Sequence, residues 1–360
     1  MAARLSAYSR LDRLVHRIAF SAPAVQLAAA DIEKTAYKAR YKSASADRPI
    51  FITSLPRAGT TVLLEAFHQL PGMATHLYRD MPFVMAPILW STISKGFRKP
   101  AKMAERAHKD GLQVGYDSPE AFEEILWRTF WPGKYASGQI GLWTESDRDE
   151  EGEAFLRDHI RKIIALRCPD QVAQGRYISK NNGNIARLEL IVALFPAGEI
   201  LVPLRRPLDH AASLLKQHLN FLKQHSENDF TRRYMADIGH YEFGALHRPI
   251  RFPGLEDLLE GRDERTLDYW LAYWVAAFEH VRTRRDKVRI VPYEALCGDG
   301  PTVFRELCGQ LGVGDAQAVA RAGEIFRRGT DHAVSTDEVD EDLRMSSQAL
   351  YADLGGDLGV

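Results

Sequence analysis

The chain contains 360 residues, of which 45% are apolar and 26% charged, and its formal net charge at pH 7 is −1. Such a composition is typical of an ordinary globular protein that is long enough to bury a substantial core. The near-zero charge argues against a nucleic-acid-binding protein, so no nucleic-acid partner is expected. The three cysteines are odd in number and lack a Cys-x-x-Cys spacing, which indicates a reduced, cytoplasmic setting.

Residues 1–48 are predicted to form an N-terminal helical segment. Several arginines precede a mildly apolar stretch at residues 18–30, and this order imitates a signal peptide. The stretch is interrupted by Ser21, Pro23 and Gln26, however, and the apolar residues before it follow helical spacing. An amphipathic helical segment is therefore favoured, and no later stretch reaches the ~20 apolar residues of a membrane span.

Residues 49–70 predict a strand, a loop and a helix in that order. β-Branched and aromatic side chains come first, a loop with proline and glycine follows, and apolar positions then recur at helical spacing. Gly59 lets the main chain approach an anion closely, and the first N–H groups of the helix point at that anion. Thr60 and Thr61 add hydroxyl donors where the helix dipole is positive. The sequence therefore predicts a loop, with Ala58 among its amide donors, that binds phosphate or sulfate.

The same loop departs from the Walker pattern G-x-x-x-x-G-K-[ST] of Mg-nucleotide kinases. Ser54 stands at the first glycine and Thr60 at the lysine, and the cation is instead Arg57, which suits bidentate contact with phosphate or sulfate. Residues 55–61, Leu-Pro-Arg-Ala-Gly-Thr-Thr, resemble the 5′-phosphosulfate loop of sulfotransferases that use 3′-phosphoadenosine 5′-phosphosulfate (PAPS). The resemblance implies that Arg57 and the loop residues bind this co-substrate.

The region from residue 95 to residue 175 is predicted to be an insertion. It loses the strand–helix alternation and is rich in aromatic side chains, which suit either an acceptor-binding cap or the core of an added helical layer. Glu120, Glu123 and Glu124 are expected on the solvated face of one helix rather than at a metal site, because no histidine stands at a suitable spacing.

A second anion-binding site is predicted where two later strands end. One candidate strand ends at Lys180 and the next is followed by Arg205, Pro207, Asp209 and Ser213, which reproduce the pattern R-x-P-x-D-x-x-x-S. In PAPS-dependent enzymes the arginine and the serine of this pattern hold the 3′-phosphate. The resemblance therefore implies that Arg205 and Ser213 bind the 3′-phosphate and that Lys180 assists near the bridging oxygen.

The catalytic base is where the chain departs from the cytosolic sulfotransferases, which place a histidine two residues after the strand-ending lysine. Asn182 occupies that position here. The tyrosylprotein-type branch, which shares the Pro-Arg-x-Gly-Thr-Thr loop, uses a carboxylate a little over twenty residues past the loop arginine, where this chain has Asp80. His76 is the rival, since its pKa suits neutral pH. The remaining possibility is that Asp80 only pairs with Arg79 on the surface.

Three further features are interpreted without assigning them to the reaction centre. His210, His218 and His225 recur on one helical face, and a surface stripe is favoured over a metal site. Residues 326–329, Phe-Arg-Arg-Gly, resemble a Phe-Arg-Lys-Gly stretch with which the cytosolic branch holds the 3′-phosphate, so Arg327 and Arg328 are open candidates for that contact. Residues 331–360 are predicted to be a solvated tail.

Strands that alternate with helices predict an α/β fold, a mostly parallel sheet with helices on both faces. The resemblance implies the P-loop-type sulfotransferase fold over residues 49–330. It also implies transfer of a sulfuryl group from PAPS to a hydroxyl or amine of an unidentified small-molecule, glycan or lipid acceptor, with no metal required. A Mg²⁺-dependent P-loop kinase and a non-catalytic PAPS-binding protein remain alternatives, and the oligomeric state is not predicted.

Overall fold

A five-stranded parallel sheet lies at the centre of the computed structural model, which describes residues 10–95, 104–105, 113–114, 117–326 and 339–356. Its strands follow the order β2-β5-β1-β6-β7, and each neighbouring pair is parallel. These strands are β1 (Ile50–Ile52), β2 (Met73–Ala74), β5 (Arg176–Lys180), β6 (Glu199–Leu204) and β7 (Arg289–Pro292). Two further short strands, β3 (Ala104–Glu105) and β4 (Gln113–Val114), form a separate antiparallel pair.

Helices cover both faces of the central sheet. In the described ranges these are α1 (Arg10–Ala19), α2 (Pro23–Tyr41), α3 (Thr60–His68), α4 (Pro87–Ser94), α5 (Glu124–Phe130), α6 (Glu150–Arg167), α7 (Leu188–Leu194), α8 (Pro207–Glu227), α9 (Asp229–Asp237), α10 (Leu255–Leu259), α11 (Leu267–Arg282), α12 (Tyr293–Gly298), α13 (Gly300–Leu311), α14 (Ala316–Gly323) and α15 (Glu341–Asp353). Short 3₁₀ turns include Tyr78–Asp80, Asn182–Arg187 and Gly244–Leu246. The predicted α/β fold with a mostly parallel sheet is confirmed.

The core divides into two layers because successive strand residues point to opposite faces of the sheet. In β1, Ile50 and Ile52 pack with α3, α13 and α14, whereas Phe51 packs into the larger cluster on the other face. A strand that is buried on both faces has a continuous apolar sequence. Strand β1 and most of β6 have such sequences.

Strand β1 lies at the point where the strand order changes direction. Its two neighbours, β5 and β6, both come later in the chain, and the last residue of β1, Ile52, pairs with Lys180 and Leu201. In open parallel sheets, ligands bind in the crevice outside the carboxyl ends of the strands at such a point. The loop after β1 and the segments after β5 and β6 all begin at this crevice.

The end of the chain differs from the predicted solvated tail. Residues 341–353 form α15, and Leu343, Leu350 and Tyr351 are buried against the rest of the protein. Their spacing places them on one face of the helix, and this apolar face outweighs the acidic run that precedes it. The stretch that contains Arg327 and Arg328 lies outside the described residues.

Candidate active site

The loop that follows β1 has the conformation of an anion-binding site. Arg57 and Gly59 adopt positive φ values of 73° and 86°, and helix α3 begins at Thr60. Main-chain N–H groups converge in such a turn, and the helix N-terminus adds its own free donors. A Cβ on Gly59 would lie 2.6 Å from the ring of Tyr293, so this position requires glycine for space as well as for conformation.

Hydroxyl groups at both ends of the loop tie it to the neighbouring strands. Ser54 Oγ donates to the Pro203 carbonyl at 2.8 Å, and Thr53 Oγ1 donates to the Asn182 carbonyl at 3.3 Å. Thr60 Oγ1 donates to the side-chain oxygen of Asn182, also at 3.3 Å. The loop is therefore held against the ends of β5 and β6, and the residue that replaces the first Walker glycine acts as an anchor.

His210 fixes the middle of the loop from beneath. Its Nε2 lies 2.7 Å from the Pro56 carbonyl, and the indole N–H of Trp274 lies 3.2 Å from its Nδ1. Because an indole nitrogen can only donate, Nδ1 accepts and Nε2 donates to Pro56. Burial, assisted by the nearby charge of Arg205, lowers the pKa of His210 to about 3, so the ring is neutral at pH 7.

The predicted histidine stripe is not on the surface. His210, His218 and His225 on α8 are all buried. The helical face that carries these histidines packs inward, where His210 supports the loop.

The two predicted anion sites meet in the structure. Arg57 Nε donates to Ser213 Oγ at 3.3 Å, and Arg205 Nη1 donates to the Arg57 carbonyl at 3.0 Å. The Arg205 guanidinium also lies over the ring of Tyr293, with 5.1 Å between its carbon and the ring centroid. Three of the residues predicted from widely separated motifs therefore lie side by side at the carboxyl edge of the sheet.

Lys180 ends β5 directly beside the last residue of β1. The main-chain N–H of the next residue, Asn181, donates to the Ile52 carbonyl at 3.0 Å, and the Asn181 side chain caps the turn that follows. The geometry thus brings Lys180 to the same sheet edge as the loop, where the sequence predicted it.

Glu123 and Glu124 are buried rather than solvated. Arg187 donates to both oxygens of Glu124, at 2.9 and 3.0 Å, and its guanidinium lies over the rings of both Trp127 and Trp143. Burial alone would raise the pKa of Glu124, but the charge and hydrogen bonds of Arg187 outweigh it, so the pKa is lowered. The ion pair joins residues 63 positions apart, which no local pattern in the sequence reveals.

Asp80 is buried in an ion pair with Arg167, on α6, rather than exposed beside Arg79. The Leu77 N–H donates to its carboxylate at 2.9 Å, and His76 Nδ1 lies 3.6 Å away. Burial raises the pKa of Asp80, but Arg167 and then His76 oppose it more strongly and hold the pKa well below the usual range. A carboxylate with so low a pKa is a weak proton acceptor. These surroundings oppose the role of base, which for Asp80 stays a prediction.

His76, the rival base, is also enclosed. Its Nε2 lies 3.1 Å from Nε2 of His159, and the two rings stack with their centroids 4.9 Å apart. The His76 side chain is 1% exposed, so this candidate base is buried within the fold and does not lie at the surface.

A cavity opens next to the anion loop. Leu55 and Pro56 form one wall, residues 181–183 form another, and the segment from Gly239 to Tyr273 closes it. Glu124 and Ile140 are the lining residues that come from the predicted insertion at 95–175.

In the part of the chain that the structure describes, no cluster of three or more histidine, cysteine or acidic side chains could hold a metal ion. Over the same residues, none of the helices has the length and apolar character needed to cross a membrane.

Comparisons with known proteins point to one family. Residues 49–317 match the model of the sulfotransferase family. No curated protein that was compared matches the chain.

Three solved structures align with most of the chain. Sulfotransferase STF1 from Mycobacterium tuberculosis H37Rv is 13% identical with a TM-score of 0.48, and the alignment covers 96% of this chain and 85% of that one. STF9 from Mycobacterium avium is 15% identical with a TM-score of 0.49, at 90% and 80% coverage. A sulfotransferase from Alicyclobacillus acidocaldarius is 17% identical with a TM-score of 0.39, at 87% and 98% coverage. Because the family model extends from the residue before β1 into α14, the chain belongs to the sulfotransferase family.

Proposed function

We propose that the protein transfers a sulfuryl group from PAPS to a hydroxyl or amine of an acceptor molecule. The observation that carries the proposal is the contact between the two anion sites, in which Arg57 reaches Ser213 and Arg205 reaches the Arg57 carbonyl. PAPS carries its 5′-phosphosulfate and its 3′-phosphate on one ribose, so two adjacent sites of this kind suit its two anionic ends.

The loop would hold the 5′-phosphosulfate. The proposed donors are the guanidinium of Arg57, the amides of Ala58 and Gly59, and the hydroxyls of Thr60 and Thr61. The positive φ values and the helix N-terminus support this assignment. The loop also resembles the Pro-Arg-x-Gly-Thr-Thr loop of the tyrosylprotein-type branch, which we propose as its nearest functional type.

The 3′-phosphate would lie between Arg205 and Ser213. Arg205 follows the last residue of β6, and Ser213 lies in the second turn of α8, so both face the same crevice edge. The ring of Tyr293 beneath Arg205 keeps the guanidinium oriented, which reduces the entropy lost on binding.

The chemistry asks the protein to stabilise charge on the leaving phosphate. Arg57, the loop amides and Thr60 would do so, and Lys180 would assist near the bridging oxygen. A sulfuryl group carries less negative charge than a phosphoryl group, so we propose that these protein cations suffice without a metal. Asp80, with His76 as its rival, is the base that the sequence predicts.

The acceptor is proposed only as a class, a small molecule, glycan or lipid with a hydroxyl or amine. The predicted role of residues 95–175 as the acceptor-binding insertion stays a prediction. A cytoplasmic setting also stays a prediction, and it agrees with the three cysteines, all of which are free thiols.

The donor assignment can be tested with Arg205→Ala. Loss of a buried charged contact commonly costs about 2–5 kcal/mol, so the affinity for 3′-phosphoadenosine 5′-phosphate (PAP) should fall by roughly 30-fold or more. The affinity for adenosine 5′-phosphosulfate, which lacks the 3′-phosphate, should fall much less, through the lost contact with the Arg57 carbonyl alone. Isothermal calorimetry measures both.

The matched control is Arg282→Ala, because that arginine is half-exposed on α11. Its ion pair is with Glu279 on the same helix and not with a residue of the loop. The control should leave both affinities unchanged. Equal weakening of both ligands by Arg205→Ala would contradict the assignment, and tighter binding of ATP–Mg²⁺ than of PAP by the wild type would favour a kinase.

A further inference from the structure

Glu242 lines the cavity beside the anion loop, yet neither motif spacing nor the family resemblance singles it out. It follows α9 and precedes the 3₁₀ turn Gly244–Leu246, so it comes from a part of the chain far from the loop. Its side chain is 24% exposed, whereas that of Asp80 is 2% exposed. Solvent therefore reaches part of the Glu242 side chain, although its Oε2 is buried, whereas Asp80 is enclosed in its ion pair with Arg167.

A hydrogen-bond chain connects Glu242 to the loop. Thr60 Oγ1 donates to Asn182 Oδ1 at 3.3 Å, and Asn182 Nδ2 donates to Glu242 Oε1 at 3.2 Å. The amide of Asn182 thus accepts at one end and donates at the other. The carboxylate is held one amide away from the first residue of α3, which faces the anion.

This separation suits a base that acts opposite the anion loop. An attacking oxygen lies about 3–3.5 Å from the atom that it attacks, and a base lies about 2.6–3.2 Å from the proton-bearing oxygen. Glu242 is linked to the loop through the single amide of Asn182, and the acceptor oxygen would have to lie beside that amide, between the loop and the carboxylate. Glu124, the other carboxylate at this cavity, is engaged by Arg187, Asn181 and Tyr135.

His240 supports Glu242 from the opposite side. Its Nδ1 lies 3.1 Å from Oε2 of Glu242, while Asn182 contacts Oε1. The hydrogen bond from Asn182 orients the carboxylate, whereas the His240 contact lies at ion-pair distance without hydrogen-bond geometry.

The cavity walls indicate the class of acceptor. Ile140, Tyr241, Ile250, Trp270 and Tyr273 contribute apolar and aromatic surface. The cation at the wall, Arg248, donates to the Tyr135 carbonyl at 3.0 Å and lies over the Tyr241 ring. Apolar and aromatic walls of this kind suit the flat apolar body of an alcohol or phenol.

We propose that Glu242 is the general base for an alcohol or an un-ionised phenol that approaches the anion loop along this wall, an inference that rests on the proposed sulfuryl transfer. The acceptor hydroxyl gives its proton to Glu242 as its oxygen bonds to sulfur. The bond between sulfur and the bridging oxygen breaks, and its electron pair stays on the departing phosphate of PAP. The proton leaves Glu242 for solvent after the sulfate ester departs, so atoms and charge balance.

Glu242→Gln tests this role, because glutamine keeps the shape and the contact with Asn182 but takes up no proton. With benzyl alcohol as acceptor, turnover should fall by about 10²–10⁴-fold. With 4-nitrophenol, which is largely ionised at pH 8, turnover should fall less than tenfold, because an ionised acceptor needs no base. The affinity for PAP should be unchanged. Release of sulfate from PAPS to water is the third readout and should also slow at least tenfold.

The control is Glu256→Gln, a carboxylate exposed on α10, which should match the wild type in all assays. A Glu242→Gln variant within twofold of the wild type on benzyl alcohol and on water would overturn the proposal. Equal losses on both organic acceptors would show a structural role and overturn it too, as would a wild type that binds PAP but turns over none of the three acceptors. A wild type that does not bind PAP would instead contradict the proposed function itself.

Discussion

The loop arginine combines an unusual main-chain conformation with a proposed role in donor binding. Arg57 has a φ of 73°, which is uncommon for a residue with a side chain, and its carbonyl is held by Arg205. Such strain persists where the surroundings enforce it and is concentrated at functional sites. The contact with Ser213 then fixes the guanidinium at the place where an anionic donor would bind.

Asp80 provides a test that separates a structural from a catalytic role. Asp80→Asn should destabilise the fold by about 3–5 kcal/mol at pH 7, because Arg167 would keep a buried charge without its carboxylate. The pKa of Asp80 is depressed in the folded protein, so its contribution is complete above the usual aspartate pKa of about 4. That contribution is lost as the pH falls below this value. The difference in unfolding free energy between the wild type and Asp80→Asn should therefore narrow.

Urea unfolding of the wild type and of Asp80→Asn, at pH 7 and at about pH 3, measures this difference. The control is Asp170→Asn, because Asp170 is exposed. The control should stay within about 0.5 kcal/mol of the wild type. Unchanged stability of Asp80→Asn together with turnover lowered about 10²–10⁴-fold would instead establish Asp80 as the base, as the family resemblance implies.

Residues in the motif segments could be predicted from the sequence because their roles depend on local spacing. Arg57, Arg205 and Ser213 were placed by two short patterns, and the structure brings them together. Glu124 and Glu242 could not be found in this way. Their partners, Arg187 and Asn182, lie about 60 residues away in the chain, so their environment exists only in the folded protein.

Helix α15 shows why composition alone can mispredict an element, because an acidic run can precede a helix that packs on the core. The sequence at 331–360 has an acidic run and a glycine-rich end, which favour a tail, but one helical face is apolar. That face packs on α11, and the Tyr351 hydroxyl donates to Glu294 at 2.8 Å. Glu294 in turn accepts from the Arg206 N–H at 2.9 Å, so α15 braces the segment that carries Arg205.

Leu350→Ala tests the packing of α15. Leu350 is buried, and its truncation should lower the free energy of unfolding by about 2–5 kcal/mol through lost contacts and the cavity left behind. Met345→Ala on the same helix is the matched control, because Met345 is 55% exposed and should cost less than about 0.5 kcal/mol. Equal, small effects of both substitutions in urea unfolding would mean that residues 341–353 are a solvated tail after all.

The position of β1 connects the whole fold to the proposed reaction. Its neighbours on both sides come from later in the chain, so three crossover segments start at one crevice. The alternation of strands and helices made the α/β fold predictable, and the P-loop-type version that the resemblance implied is that of the sulfotransferase family. The strand order was not predictable, because it depends on which apolar faces pack together.

Sulfuryl transfer from labelled PAPS, measured with and without a chelator, is the most direct test of the proposed reaction. We expect the wild type to move the label to an alcohol, a phenol or water and to form PAP at the same rate in the presence of EDTA. Arg57→Ala should slow this transfer by about 10²–10³-fold, because the leaving phosphate loses its nearest cation, while Arg282→Ala should not. Label that stays on PAPS while the γ-phosphate of ATP–Mg²⁺ is transferred, or activity abolished by EDTA and restored by Mg²⁺, would contradict sulfuryl transfer by this site.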